Sequence, residues 1–346
     1  MEMTGLTRRI GVREEADAGA VYRQATLAAE RARLDEASAG RLALIARELT
    51  TNLLKHTARG GEVLLNAQTP PAGPGAVELL AIDRGPGMAN ATKALRDSYS
   101  TGGTLGIGLG AAQRQADNFA IHTAPGRGTA ILARVRGVHV EPVASPYDVG
   151  VITVPKDGEE VSGDGWAVCA VPHGFQLVVV DGLGHGLLAS EAAAAAIKAF
   201  RQAAGRSPVD VLQALHRPLV GTRGATAGVA QIDTRARRVT YGGIGNIAAA
   251  VFGQAGTRRL VSLNGTVGRE PVSYRQFEGE WEPDATLIMH SDGLMTQWRL
   301  DYLPGLATKD PSLIAAVLFR DFARDLDDVT VVVAKQGTRP PQSQDR

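Results

Sequence analysis

The sequence has one cysteine in 346 residues, Cys169, so no internal disulfide can form and the chain suits a reducing compartment. Cys169 sits in an apolar alternation and reads as structural rather than reactive. Charge of one sign is also missing: Lys and Arg number 37 against 36 for Asp and Glu, a net charge of +1. That balance excludes a global attraction to nucleic acid or anionic lipid, so partners must be recognised locally. No apolar stretch approaches the roughly 20 residues that span a bilayer. The opening MEMTGLTRRI lacks a hydrophobic core of signal-peptide length. No internal repeat implies a solenoid. These absences predict a soluble cytoplasmic protein that binds neither nucleic acid nor membrane. What remains is ordinary globular material, 44% hydrophobic and 21% charged, enough for one large or two medium domains.

From Glu14 to Ala58 the chain is rich in Ala, Leu, Arg and Glu and has no proline, and Leu42, Ile45, Leu49 and Leu53 recur at helical spacing. This predicts two helices broken near Asp35 to Ser38. EVLLNAQ and AVELLAID then read as strands around the turn TPPAGPG. GVHVEPVASPYDVG has two prolines and no strong apolar face, which marks a linker over 137–149 between a domain at 1–136 and another at 150–336. In the second, β-type runs (WAVCAV, FQLVVVD, TAGVAQID, RRVTYGG, ATLIMHSD, VTVVVAK) alternate with the helices LLASEAAAAAIKAFRQAA and PVDVLQALHRPLV. Ser207 and Pro208 supply an N-cap and first helical residue for the latter. Residues 337–346 read as a disordered tail. The class is α/β (α+β), in two domains.

Three pieces of the first domain carry chemistry. ELTTNLLKH puts Glu48, Asn52 and His56 four apart on one helix face, away from the leucine stripe. AIDRGPGM ends a strand with Asp83 and follows it with Gly85 and Gly87; such a carboxylate can accept from an exocyclic amine while the glycines admit a flat ring, or it can close an ordinary turn. GGTLGIGLG leads into AAQRQADNFA, a loop feeding a helix whose first amides can hold phosphates. It is not a P-loop, because no Lys-Ser/Thr follows.

In this order, and followed by GRGTAI, the pieces resemble the ATP site of the GHKL superfamily, which includes histidine kinases and gyrase. The stretch LRDSYSTGGTLGIGLGAAQRQADNFAIHTAPGRGTAI is most similar to the small serine/threonine kinases that phosphorylate STAS-domain proteins. The resemblance covers about residues 10 to 136 and implies a Bergerat-type ATP-binding α/β sandwich. It implies that Asn52 holds the Mg2+ of ATP and that Glu48 orients or deprotonates the attacking hydroxyl. Asp83 would read the adenine amine, with Gly85 and Gly87 shaping that pocket. Gly106, Gly108 and Gly110 would line the phosphate lid, and Thr129 would close the adenine side. His56 is left a structural or helix-end role.

In the second domain VVVDGLGHG poses a choice between phosphate cradle, metal turn and tight corner. Asp164 in SGDGW, Asp181 in VVVDGLGHG, Asp292 in MHSDGLM, and Asp327 and Asp328 in LDDVTVVV all lie where an apolar run begins or ends. They can therefore converge on one sheet edge, and clustered carboxylates with a carbonyl suit hard cations such as Mg2+ or Mn2+. Two such ions can activate a bridging water at phosphorus. A lone His185 among carboxylates fits zinc poorly.

This constellation resembles the metal-dependent PPM-type serine/threonine phosphatases of the SpoIIE-like branch, over about residues 147 to 336, and implies a β-sandwich flanked by helices. On that resemblance Asp181 bridges two metals, the Gly182 carbonyl adds a ligand, Asp292 and Asp327 complete one shell and Asp164 serves the other. Asp328 is second choice to Asp327, and Gly245 and Asn246 of YGGIGN have structural roles. Together the resemblances imply a partner-switching regulator whose kinase and phosphatase act on STAS-type anti-anti-sigma or stressosome proteins. A sigma factor or another phosphatase is a further partner. The alternative is a nucleotide-binding anti-sigma or sensor domain, without catalysis of its own, regulating an active phosphatase.

Overall fold

The computed structural model describes residues 6–70, 73–95, 108–138, 145–269, 273–324 and 326–337. The chain divides into two compact units, residues 1–141 with 308–320, and residues 142–307 with 321–346.

In the first unit the elements run β1 (Arg8–Val12), α1 (Glu15–Arg31), α2 (Glu36–His56), β2 (Gly61–Gln68), β3 (Ala76–Asp83), α3 (Ala91–Ala94), α4 (Gly108–Gln115), β4 (Asn118–Thr123) and β5 (Thr129–Arg136). The expected helix pair is present. Its second member starts where Asp35 accepts from the Ser38 amide at 3.0 Å, an N-cap that satisfies one of the otherwise unpaired first-turn donors. The strands form an antiparallel sheet in the order β1-β2-β3-β5-β4. Side chains alternate across a strand, so Val63, Val77, Leu79, Ala81, Ile131 and Ala133 share a core with Leu42, Ile45, Leu49 and Leu53 of α2. The helix expected over AAQRQADNFA is shorter than its sequence suggests. It stops at Gln115, and Asn118 to Thr123 enter the sheet because Phe119 and Ile121 pack on the core.

The second unit contains β6 (Tyr147–Val154), β7 (Asp164–Val171), β8 (Gly174–Gly182), α5 (Leu187–Ala203), α6 (Pro208–Leu219), β9 (Ala225–Asp233), β10 (Arg238–Ile244), β11 (Ala248–Gly253), β12 (Gly256–Leu260), β13 (Phe277–Glu280), β14 (Thr286–His290) and, after α7 (Pro311–Phe322), β15 (Val329–Gln336). Tyr147 to Val149, read from sequence as linker, belong to β6, which is held along its whole length by β15. Two antiparallel sheets result, β13-β10-β9-β8-β7 and β12-β11-β14-β15-β6. On β8, Val178 and Val180 pack with Ala192, Ala196, Phe200 and Leu215 of α5 and α6. The alternate positions Phe175, Leu177, Val179 and Asp181 therefore face the other way. There Phe175 meets Tyr147 and Trp281, with ring centroids 5.4 and 6.3 Å away.

Residues 308–320, which include most of α7, group with the first unit. Ser312 donates to Glu78 of β3 at 3.1 Å, Asn118 donates to Asp310 at 3.1 Å, and the Arg9 guanidinium lies 5.6 Å from the Phe319 ring centroid. Among the described residues no helix is long and apolar enough to cross a membrane.

Candidate functional sites: a nucleotide pocket and a metal centre

In the first unit β3 delivers Asp83 to the end of the sheet, directly across from Thr129 of β5. One oxygen of Asp83, Oδ1, accepts from the amides of Gly85 at 2.7 Å and Thr129 at 3.2 Å. Burial is the largest influence on this carboxyl and raises its pKa against those hydrogen bonds. A fixed carboxylate whose second oxygen accepts no comparable bond among the described residues is a suitable acceptor for an amine. Gly87 has φ +65°, and a Cβ there would lie 2.0 Å from the Ala124 carbonyl oxygen, so only glycine permits this turn. The Gly128 amide donates to the Gly85 carbonyl at 3.1 Å and closes the loop that carries Thr129.

The helix face Glu48–Asn52–His56 borders the same region. A Cβ on Gly108, the first residue of α4, would lie 2.9 Å from Glu48 Oε2 and 3.9 Å from Asn52 Oδ1. Thr57 contacts Gly85 in the same way, at 3.0 Å. His56 acts on Asp83 electrostatically, favouring its charged form. The structure thus brings together Glu48, Asn52, Asp83, Gly85, Gly87, Gly108 and Thr129. Gly110 is buried within α4, and Gly106 lies outside the described residues. Glu48 also pairs with Arg47 at 2.9 Å, a contact the spacing did not suggest.

In the second unit β7 begins with Asp164 where β8 ends with Asp181 and Gly182, and the two aspartates are cross-strand partners. Asp292 follows β14 and Asp328 precedes β15, so both sheets contribute carboxylates. Asp181 is raised to about 7, first by burial and then by the charges of Asp292 and Asp327. Burial also raises Asp164 well above the ordinary carboxylate range, with Asp181 and Asp328 adding to it. Four of the expected residues therefore act on Asp181 or Asp164 as like charges crowded together.

Hydrogen bonds orient this cluster. Ser291 donates to Asp164 Oδ2 at 2.6 Å and accepts from the Thr330 amide at 3.0 Å. Asn246 donates to Asp292 Oδ2 at 2.7 Å and also bonds Asp181, while the Thr226 hydroxyl donates to the side-chain oxygen Oδ1 of Asn246 at 2.6 Å. Asn246 therefore holds two of the carboxylates, a more direct part than the structural one expected from YGGIGN. Ser291 was missed; its only signal was its place immediately before Asp292. The Asp327/Asp328 ambiguity separates by environment. Asp328 is buried and its two oxygens accept from the Lys156 and Gly163 amides at 2.9 and 2.8 Å, whereas Asp327 is half-buried and caps the Asp328 amide.

The turn of VVVDGLGHG is built for close approach. A Cβ on Gly182 would lie 2.2 Å from the Ala189 carbonyl oxygen, so the first turn of α5 demands glycine there. Gly184 and Gly186 have φ of +88° and +74°. His185 sets its Nδ1 2.6 Å from Glu159 Oε1, and it favours the charged form of Asp328 electrostatically.

No group of three or more His, Cys, Asp or Glu side chains among the described residues stands in metal-holding geometry as arranged. Their oxygens are instead engaged by Ser291, Asn246 and backbone amides. The donor set still fits hard cations: it is all oxygen, and the burial and mutual repulsion that raise Asp181 and Asp164 are what a divalent ion offsets.

Residues 172–336 match the family model of stage II sporulation protein E (SpoIIE), and residues 12–135 match the histidine kinase-like ATPase domain. The chain joins one domain of each kind. Over 145 residues it is 27% identical to the phosphoserine phosphatase RsbX of Bacillus subtilis (strain 168), covering 42% of this chain and 73% of RsbX. Over 86 residues it is 33% identical to the serine/threonine-protein kinase RsbT of the same organism, covering 25% of this chain and 63% of RsbT. Among solved structures, one described as "The bacterial stressosome: a modular system that has been adapted to control secondary messenger signaling" aligns with a TM-score of 0.52 and 29% identity. It covers 55% of this chain and all of that one. The ATPase domain holds Glu48, Asn52 and Asp83, and the SpoIIE domain holds Asp181, Asp292, Asp327 and Asp328. Asp164 precedes the SpoIIE match and enters the cluster through its pairing with β8.

Proposed function

We propose that this chain is a bifunctional partner-switching regulator in the cytoplasm. Its ATPase domain phosphorylates a serine or threonine of a STAS-type protein, and its SpoIIE domain removes phosphate from such proteins. The observation that carries the reading is the convergence of Asp164, Asp181 and Asp292 at one end of two sheets, in a chain that also sets Glu48 and Asn52 beside Gly108.

In the SpoIIE domain Asp181, the Gly182 carbonyl, Asp292, Asp327 and Asp164 would hold two Mn2+ or Mg2+ ions. Asp328 is held by amides and supports them. Such ions supply a water activated for attack at phosphorus. The chain's own part is orientation: Asn246 fixes Asp292 and Asp181, and Ser291 fixes Asp164. In the ATPase domain Asp83 would accept from the adenine amine, Asn52 would hold Mg2+ on ATP, and Glu48 would orient the acceptor hydroxyl. Phosphoryl transfer draws most of its acceleration from such positioning and charge neutralisation.

A phosphate adds about −1.5 to −2 charge at neutral pH and can make or break an interface. Running both reactions on one residue would consume ATP without net change, so the two domains act on different targets or at different times. Incubation with labelled ATP, Mg2+ and a cognate STAS protein tests the kinase, with Glu48→Ala in parallel. Release of phosphate from the phosphorylated STAS protein with Mn2+, lost on Asp181→Ala, tests the phosphatase. Absence of label transfer under all conditions refutes the first half, and Mn2+-dependent hydrolysis surviving Asp181→Ala refutes the metal assignment.

A further inference from the structure

Beside the carboxylate cluster the surface changes character. Leu183, Leu187 and Leu188 are 36%, 66% and 51% exposed, three leucines within the six residues 183–188 that follow Asp181 and Gly182. Apolar side chains grouped on a surface, unlike singly scattered ones, mark contact sites. Over the same turn lies the exposed side chain of Arg223: its Nη1 is 2.7 Å from where a Cβ on Gly184 would stand. The backbone at Arg223 is held on both sides. The next residue, Gly224, accepts from the Leu183 amide at 3.1 Å, and the Arg223 carbonyl accepts from Arg269 Nε at 3.1 Å. The other flank of the turn is acidic, with Glu159 against His185 and beside Gly186.

From this placement we propose that Arg223, Leu183, Leu187 and Leu188 form the docking rim of the phosphatase site. The occupant is a phosphorylated protein segment whose phosphoserine or phosphothreonine is flanked by apolar residues. The guanidinium takes a phosphate oxygen, for which its planar fork of donors is suited. The leucines cover the flanking apolar side chains, and Glu159 repels segments entering from the opposite side. The choice of a phosphorylated segment over other occupants rests on charge and apolar surface together: an exposed cation over the turn and three exposed leucines adjoin a site built to act on phosphate. This deepens the phosphatase reading and depends on it.

The test uses the full chain with Mn2+, p-nitrophenyl phosphate and two synthetic phosphoserine peptides that differ only in having leucine or serine on either side of the phosphoserine. Wild type prefers the leucine-flanked peptide by about tenfold in kcat/KM, the equivalent of burying part of one or two leucines. The double substitution Leu187→Ser, Leu188→Ser erases that preference. Arg223→Ala raises KM for both peptides with little change in kcat, and Arg223→Lys recovers part of it. The Mn2+-induced rise in melting temperature, recorded for each variant, reports that the metal site is intact. Equal handling of the two peptides by wild type, or a preference that survives the leucine substitutions, overturns the proposal. So does a dimer in sedimentation that the leucine substitutions dissociate, since the rim then belongs to a second copy. Absence of Mn2+-dependent hydrolysis of all three substrates overturns the phosphatase reading itself, and the rim with it.

Discussion

Asp164 and Asp181 stand directly opposite each other across the β7–β8 pair, with Asp164 at the first residue of one strand and Asp181 at the penultimate residue of the other. Like charges in register destabilise a sheet, and here burial compounds the repulsion, which a bound cation or a proton relieves.

Divalent ions are therefore expected to stabilise the second unit. Mn2+ or Mg2+ at about a hundred times its dissociation constant adds about 2.7 kcal/mol by mass action. Calorimetry should show a melting transition that rises with ion concentration and falls with EDTA. Asp181→Asn removes one of the two facing charges; it should abolish most of the ion response while leaving the ion-free transition no lower than that of wild type.

Ser291→Ala removes the donor to Asp164 and the acceptor of the Thr330 amide, both buried. Leaving buried polar groups unpaired costs about 1–3 kcal/mol. Urea unfolding should show that loss, together with a weaker affinity for Mn2+, whereas Ser291→Thr should recover much of both.

Asp83→Ala should weaken ATP binding by about tenfold to a hundredfold, the range expected for a hydrogen bond to a charged group. Calorimetric titration of ATP against a purine triphosphate without the exocyclic amine checks the role: wild type discriminates between them and the variant does not. Gly87→Ala should weaken both equally, because its Cβ meets the Ala124 carbonyl whatever the base.

Asp35 titrates at about 2 in the folded chain, held down by the amides of Ser38 and Val138. Its folded value lies below the ordinary 3.8, so its contribution is complete above that value and is lost as pH falls towards 2. Circular dichroism of wild type and Asp35→Asn should show stabilities that differ at neutral pH and converge as the pH falls through this window.

The chemistry was more legible in the sequence than the architecture that presents it. Asp83, Asp181 and Asp292 each end an apolar run within two residues of a glycine, so a strand end and a turn could be read at once, and the period of two on β8 even fixes which face Asp181 occupies. Glu48 and Asn52 were legible because the leucines of α2 define the opposite face. Cross-strand register was not: the pairing of Asp164 with Asp181 depends on the length of the β7–β8 turn, where His173 adopts φ +64°. Nor was the role of Ser291 and Asn246, since hydrogen-bonding residues beside a carboxylate look like any polar turn until their partners are located. The helix α7 went unremarked because Ile314, Ala316, Val317, Leu318 and Phe319 leave no polar stripe; residues 311–320 are buried all round, and amphipathic period is the signal by which a helix is usually seen.

That helix has a consequence for dissection by gene truncation. A fragment beginning near residue 150 would carry α7 without β3 and its Glu78, and a fragment ending near residue 136 would leave the sheet without Ser312 and Phe319. The first half expressed alone would present uncovered apolar surface and leave Glu78 without its Ser312 donor, and the second would carry α7 with its apolar side uncovered, the recipe for inclusion bodies rather than for a clean domain. Studies of one activity in isolation are better served by a point substitution that silences the other in the intact chain.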